Sequence, residues 1–528
     1  MTLRLPALSG LLLALCFPPF HTLVLPFFAL APLGVWVSRL PSGSDGMARA
    51  FRGGAVLGAV QMGLLFYWVP LALAAADPGV TGVLFAVGAY AVIVAGLAAL
   101  TSVSVGLLHQ GHRGLGAPLW LSLPVTWTAL EWGRAHLPGS LALPWLGLGT
   151  SLTAFPEAVG MAELVGERGV TFWLAAVSGL VAEAWVRGRV HARGVVAAVV
   201  VLAAVPVAWG YWRAETLTTR VVAEVTVVQP NHDALAKVRD DASPELDTDA
   251  LPEVSEGGGV GASDGYVLAP GASDLVVLPE FFYRGNPRSP DAAAALEALI
   301  DFSRDAGAPL LFGALGVGDG PLPFNSAFLL EPEGLSDFRY DKRRLVPVVE
   351  RPPFALPGEG PADGYAVGEG WPLAEIDGVR YGVLVCYESS YPGEARALRG
   401  AGADVLVNIT NDAWLGRSHP LLRTAALWQH PAHLVMRAVE GRIGVVRSAN
   451  TGISLFVDPV GRVHGETGLF TRAVAQGRVR TTDGPTLYVR TGDIVGSASA
   501  AGALALLLLG LGTRLKRASS LDPEGPHV

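Results

Sequence analysis

Two cysteines, Cys16 and Cys386, are all that 528 residues contain, so no disulfide framework is available to this chain. Charge is scarce too: only 16% of residues are charged and the net charge is -8. No basic tract is present, which argues against nucleic acid as a partner, because phosphate binding needs clustered Lys and Arg. Lysine is scarcer still, with Lys237, Lys342 and Lys516 the only ones among 38 basic residues. What remains is apolar. The chain is 51% hydrophobic with a mean hydropathy of +0.42, outside the usual soluble range, and that composition predicts a membrane protein.

The apolar residues concentrate in segments near 5–19, 20–39, 52–73, 79–109, 115–133, 170–186, 193–212 and 493–513. Most approach the roughly 20 residues that cross a bilayer as a helix, which predicts eight spans. Pro18 and Pro19 interrupt the first run, as a turn between two spans or a kink in one. A signal peptide over residues 1–20 is the competing reading, but no small-residue cleavage site follows. Arg4, Arg39, Arg49, Arg52, Arg113, Arg187, Arg189, Arg193, Arg514, Lys516 and Arg517 fall on one side of the eight spans, whereas the connection "AAADPGV" has no basic residue. This positive-inside pattern places both termini in the cytoplasm and the long interval 214–492 outside it. The expected layout is therefore spans one to seven over 1–213, an extracytoplasmic domain over 214–492, an eighth span over 493–513 and a cytoplasmic tail over 514–528.

Within the long interval, "VVAEVTVVQ" (221–229), "DLVVLPE" (274–280), "PLLFGALGV" (309–317), "NSAFLLEP" (325–332), "YGVLVCYE" (381–388), "DVLVNIT" (404–410), "IGVVRSA" (443–449) and "ISLFVDP" (453–459) read as buried strands. The segment 291–307, with Leu296, Leu299 and Ile300 at helical spacing and Gly307 at its end, reads as a covering helix. Alternating elements of this kind predict an α/β sandwich. Between Asn231 and Ser273 the chain turns acidic and glycine-rich, and a loop with no helix of its own is expected there.

Cys386 follows one of these apolar strands. Such a cysteine is by default a small core hydrophobe. Tyr387 and Glu388 come directly after it, however, and a carboxylate beside a core cysteine raises the cost of burial. A catalytic thiol needs a base or a cation within reach. "DLVVLPE" delivers Glu280 from a strand end, a position more often filled by a solvated cap, and "YDKRRLVPVVE" delivers Lys342 and Glu350 around a turn. Lys342 stands out because it is a rare lysine among Arg339, Arg343 and Arg344. A compact ammonium fits beside a reacting carbonyl where a guanidinium fork is too broad.

At these three places the chain resembles the nitrilase superfamily, whose members carry Glu, Lys and Cys in this order. The wider sequence resembles its membrane branch, the apolipoprotein N-acyltransferases, which add the third acyl chain to bacterial lipoproteins. "ALEWGR" (129–134) and "LPWLGLG" (143–149) look like that family's membrane segments. "VVQPN", "VVLPE", "YDKRRLVPVVE", "VLVCYES", "NITNDAWLG" (408–416), "MRAVEGRIGVVRSANTGIS" (436–454) and "YVRTGD" (488–493) follow in family order. The resemblance departs at Leu278 and Val238, where the family usually has Trp.

The resemblance implies an eight-helix transmembrane bundle joined to a nitrilase-like α-β-β-α sandwich, in the bacterial inner membrane with the catalytic domain on the periplasmic face. It implies Cys386 as nucleophile, Glu280 as general base and Lys342 as the cation that steadies the oxyanion. Glu350 and Glu388 would orient the lysine and the thiol, Tyr387 would flank the nucleophile, and Trp414 would sit on a loop near the acyl entrance. Ordinary packing is the competing role for Trp414, and Glu131, a further family match, has a structural role, pairing with Arg134 or a polar cavity, weighed against a role in handling lipid. The implied partners are a phospholipid donor, a diacylated apolipoprotein acceptor and the bilayer, with no metal or other cofactor and a monomeric state. A membrane-tethered amidase of the nitrilase type, or a non-catalytic lipid-binding relative, stands as the alternative.

Overall fold

The computed structural model describes residues 2–76, 79–188, 192–232, 246, 248–255, 266–347, 349–351, 364–415, 423 and 425–519. Every predicted span overlaps helix, but the helices differ in length. Four are long and apolar enough to cross a membrane: Val80–Gly114, Ala162–Arg187, Val196–Thr216 and Ile494–Gly512. A fifth is reached if Ser44–Leu65 and Trp68–Ala75, bent by 47°, are one broken span. The predicted count of eight is not reproduced. Arg4–Ala14 has 11 residues and Ala31–Ser38 has 8. At about 1.5 Å per residue neither reaches across a hydrocarbon core of about 30 Å. Leu119–Ala135 has 17 residues and includes Pro124, Glu131 and Arg134.

Helix packing here relies on small side chains. A Cβ added at Gly54 would lie 2.6 Å from the Ser102 Cα, and one at Gly58 would lie 2.7 Å from the Ala98 Cα, so Ser44–Leu65 and Val80–His109 approach backbone to backbone. The outward faces are apolar and unpacked, with Leu84, Val92, Val200 and Leu508 exposed. A surface of that size and character suits lipid rather than water.

The interval between the last two long helices forms two six-stranded sheets. Across the first run Ala473–Thr481, Arg220–Gln229, Leu275–Val277, Leu310–Gly316, Phe324–Glu331 and Gly334–Asp341. Across the second run Val463–His464, Leu455–Val457, Gly444–Ala449, Val405–Thr410, Val379–Val385 and Leu373–Ile376. The central three strands of each are parallel or carry parallel pairs, and their side chains are buried on both faces, as runs of β-branched residues require. Alternation sorts them. Val383, Val385, Val405, Val407 and Ile409 meet Val225, Val227 and Val277 between the sheets. Leu384 and Leu406 face the other way, onto Leu398 and Leu434 of the helices Pro392–Gly400 and Ala425–Gly441. On the opposite side Phe312 and Phe328 pack under Leu299 and Phe302 of Ala293–Ala306, which ends on Gly307 at φ 66, a left-handed cap. The layers are α-β-β-α. Of the acidic interval, 233–245, 247 and 256–265 lie outside the described residues. The rest, expected as a loop with no helix of its own, holds a single-turn 3-10 helix at Thr248–Ala250 and paired strands Glu253–Val254 and Val267–Leu268.

Buried ion pairs join the membrane helices to this domain. Arg437, on the helix Ala425–Gly441, donates to Glu167 at 2.5 Å and is paired with Glu440 at 3.1 Å, while the Glu167 N–H donates to Glu440 at 2.7 Å. Arg442 donates to Glu163 at 2.5 Å and to the Gly160 carbonyl at 3.1 Å. Burial, opposed by Arg437, raises Glu440 from its ordinary 4.5 to about 7. A carboxyl with a raised value binds its proton more tightly when folded, so its contribution to stability falls as pH rises from about 4.5 through about 7. Removing one partner of a buried pair typically costs about 3–5 kcal/mol. Arg437→Met is therefore expected to lower the thermal midpoint in detergent, and by more at mildly alkaline pH than at mildly acidic pH. A midpoint equal to the parent's at both would contradict the reading.

Candidate active site

Glu280 follows the strand Leu275–Val277 by three residues, and Lys342 follows Gly334–Asp341 directly. The two are brought together by sheet order, because the strands that carry them lie in one sheet and Lys342 is tied by its N–H to the Asn325 carbonyl at 2.8 Å. The Lys342 ammonium is fully buried. It donates to Glu280 Oε1 at 3.1 Å and to Glu350 Oε1 at 2.8 Å. Asn325 Nδ2 bridges the same two oxygens, at 2.7 Å to Glu280 and 3.1 Å to Glu350. The Asn411 N–H donates to Glu280 Oε2 at 2.8 Å, and the Val346 N–H to Glu350 Oε2 at 2.7 Å. Burial by itself would lower the lysine's pKa. The charges of Glu280 and Glu350 outweigh it and hold the ammonium well above its ordinary value.

The strand Val379–Val385 stops one residue before Cys386, which opens a tight turn, Cys386–Ser390, with φ 52. A non-glycine residue in the left-handed region is costly unless its surroundings hold it there. The thiol is buried and interacts electrostatically with Glu280 and Lys342. Burial pushes its pKa up, Glu280 adds to that, and Lys342 opposes it without prevailing. A thiol whose pKa is raised in this way requires a proton acceptor before it can attack.

Glu388 locks this turn to the lysine's loop. Its Oε1 accepts from the Tyr340 hydroxyl at 2.8 Å and from the N–H groups of Arg343 at 2.7 Å and Arg344 at 3.2 Å, and its Oε2 accepts from the Val385 N–H at 2.7 Å. Burial and Glu394 raise its pKa to about 7 against these bonds. Arg343 and Arg344 leave the site and reach Trp371 and Glu394, so of the run "KRR" only the lysine turns inward. Tyr387 stacks on Trp145 with centroids 6.0 Å apart, which sets the residue after Cys386 against the membrane-side segment. Trp414 belongs to the turn Asp412–Leu415, and its side chain lies outside what is described. Glu131 accepts from Trp127 at 3.0 Å, from the Leu148 N–H at 2.8 Å and from Thr171 at 2.8 Å.

Several groups at this site are not singled out by the sequence alone: the buried Asn325, Asp412, His430 and Arg447, and the half-buried Asn411. Arg447 and Asn408 did carry a signal, being polar residues inside the apolar runs "IGVVRSA" and "DVLVNIT". Sγ of Cys386, a carboxylate oxygen of Asp412 and a ring nitrogen of His430 lie within 4.8 Å of one another, a grouping that could hold a cation. The donor set does not fit one. Arg447 already donates to Asp412 at 2.6 Å and lies 3.2 Å from His430 Nδ1, so a guanidinium holds the place a metal would need.

Residues 231–483 match the carbon-nitrogen hydrolase family, and residues 9–180 match the N-terminal domain of apolipoprotein N-acyltransferase. An apolipoprotein N-acyltransferase of Geobacter metallireducens is 34% identical over 95% of this chain and 94% of its own length. Those of Gloeobacter violaceus and Chlorobaculum tepidum are 30% and 27% identical, over 95% and 93% of this chain and 92% and 93% of theirs. A solved amidase from Nesterenkonia sp. AN1 aligns with 51% of this chain and 96% of its own at 20% identity and a TM-score of 0.32, too slight a likeness to carry an argument. With its membrane and catalytic regions both matched and relatives aligned from end to end, the chain belongs to the apolipoprotein N-acyltransferase family of the nitrilase superfamily.

Proposed function

We propose that this acyltransferase moves an acyl chain from a membrane phospholipid to the N-terminal α-amine of a diacylglyceryl cysteine, by way of a thioester on Cys386. The observation that carries the reading is a buried ammonium gripped by two carboxylates, with the buried Cys386 thiol within electrostatic reach of both Lys342 and Glu280. Glu280 takes the thiol proton as sulfur bonds to the ester carbonyl carbon. Its Oε2 accepts one described bond, which leaves a lone pair for this task. Two of the three Lys342 N–H groups serve Glu280 and Glu350 among the described residues, and the third, with a backbone N–H, meets the oxyanion. The carbon–oxygen bond breaks, the departing lysophospholipid takes the proton from Glu280, and the thioester remains. The acceptor amine then bonds to the same carbon and yields its proton to Glu280. The carbon–sulfur bond breaks and the thiol is restored. Glu350 and Glu388 position the lysine and the turn, Tyr387 seats the turn on the membrane region, and Trp414 flanks the acyl entrance.

Both substrates are lipids, which gives the membrane helices a purpose. The proposed arrangement keeps eight apolar segments in the inner membrane, the shorter ones as partial or broken spans, with 214–492 periplasmic and both termini cytoplasmic. The positive-inside pattern supports it. A reporter active only in the cytoplasm, fused at Gly259, is expected to be silent. Full activity there would reverse the orientation.

Cys386→Ser is expected to abolish transfer, since a hydroxyl activated by a carboxylate is a far weaker nucleophile than a thiol so activated, while Cys16→Ser keeps parental activity. Comparable activity of Cys386→Ser and the parent would sink the covalent route. Lys342→Arg separates charge from shape. The broader guanidinium cannot sit between Glu280 and Glu350 without displacing the carbonyl, and loss of an oxyanion donor costs on the order of 100- to 1000-fold. The variant is expected to insert normally and to lose at least about 100-fold in acyl transfer. Near-parental transfer by a folded Lys342→Arg protein would remove Lys342 from the reacting set.

A further inference from the structure

A second buried polar cluster reaches Cys386 through its backbone. Arg447 lies at its centre, fully buried on the strand Gly444–Ala449. It donates to Asn408 Oδ1 at 2.5 Å, to Asp412 Oδ2 at 2.6 Å and to the Ile453 carbonyl at 3.1 Å. His430, buried on the helix Ala425–Gly441, has Nδ1 at 3.2 Å from both Asp412 Oδ1 and Arg447. Its Nε2 lies 3.0 Å from the Cys386 carbonyl oxygen, and Asn408 Nδ2 lies 3.4 Å from the same oxygen. Trp145 closes over the imidazole at 5.5 Å between centroids.

These contacts decide what His430 can do. A carbonyl only accepts, so Nε2 carries a proton whatever the state of Nδ1. Nδ1 is taken up by Asp412 and Arg447. The ring therefore offers the nearby thiol no lone pair, and a cysteine–histidine–aspartate reading of this trio fails on hydrogen-bond polarity. What His430 does hold is the carbonyl of a residue at φ 52, where the chain needs holding. Because the peptide unit is planar and trans, fixing the Cys386 carbonyl sends the Tyr387 N–H in the opposite direction.

We propose that His430 is a positioning residue: its Nε2–H pins the Cys386 carbonyl and so aims the Tyr387 N–H and the thiol at the acyl carbonyl, with Arg447 keeping His430, Asn408 and Asp412 in register. This rests on the reading of Cys386 as nucleophile. A geometric role of this kind is tested by reach. In His430→Gln a terminal N–H falls close to the position of Nε2, whereas in His430→Asn the same amide is one methylene too short.

The readout is the rate at which Cys386 gains an acyl group from phospholipid vesicles, followed by mass spectrometry. His430→Gln is expected within about tenfold of the parent, with a pH profile of the same shape. His430→Asn is expected to lose about 100-fold at an unchanged apparent KM for phospholipid, the size of effect a misplacement of about 1 Å produces. Equal losses in both, with a changed pH profile in His430→Gln, would make the imidazole a base and overturn the proposal. Parental rates in both would overturn it as well. Where His430→Asn does not insert, His430→Gln decides alone, since its parental profile excludes a titrating role and its collapse excludes positioning by the N–H. A parent protein that turns over with no adduct on Cys386 defeats the nucleophile reading instead, and so the two failures are told apart.

Discussion

A lysine ammonium with no access to water, held between two carboxylates, is the constraint around which this molecule is built. Placing Lys342 between Glu280 and Glu350 requires a strand end, a hairpin end and a following turn to converge on one point, with Asn325 bridging both carboxylates. Any one of the three charges alone would be expelled from the interior or neutralised there. Burial raises the Cys386 thiol beside them, Glu280 adds to that, and Lys342 opposes it.

The cysteine is set against this group by a second set of constraints on its backbone. Glu388 gathers N–H groups from both sides of the site, so the turn that carries Cys386 and the loop that carries Lys342 move as one piece. Tyr387 on Trp145, and Tyr391 on the Ala142 carbonyl at 3.0 Å, then attach that piece to a segment lying between membrane helices. Arg437 and Arg442 fasten the same region from below through buried pairs.

Much of the fold was legible in the sequence because buried parallel strands are nearly unbroken apolar runs. Leu275–Val277, Leu310–Gly316, Val405–Thr410 and Gly444–Ala449 fell where "DLVVLPE", "PLLFGALGV", "DVLVNIT" and "IGVVRSA" put them. The edges were not legible. Gly334–Asp341 and Leu373–Ile376 are half exposed and mix charge with apolar residues, so neither makes a run. Hydropathy marks eight apolar segments, whereas four or five described helices are long and apolar enough to cross, because it weighs composition and not continuity: Pro18 and Pro19 interrupt one apolar stretch, and Leu119–Ala135 is short. In the site, Glu280, Lys342 and Cys386 could be singled out by residue type at strand ends and by resemblance to a family. Asn325, Asn411 and His430 could not, since their roles depend on elements that meet only in three dimensions. The left-handed backbone at Cys386 was equally invisible, because cysteine carries no preference for it.

The central claim is a covalent acyl-enzyme on Cys386, and a chase experiment meets it most directly. The purified protein is mixed with a phospholipid labelled in one acyl chain, the Cys386 peptide is weighed, and a diacylated lipopeptide with a free α-amine is then added. The account predicts one labelled acyl group on Cys386, followed by its quantitative appearance as an amide on the lipopeptide. Label reaching the lipopeptide with Cys386 never carrying it, or label on Cys386 that the amine cannot remove, would contradict the account.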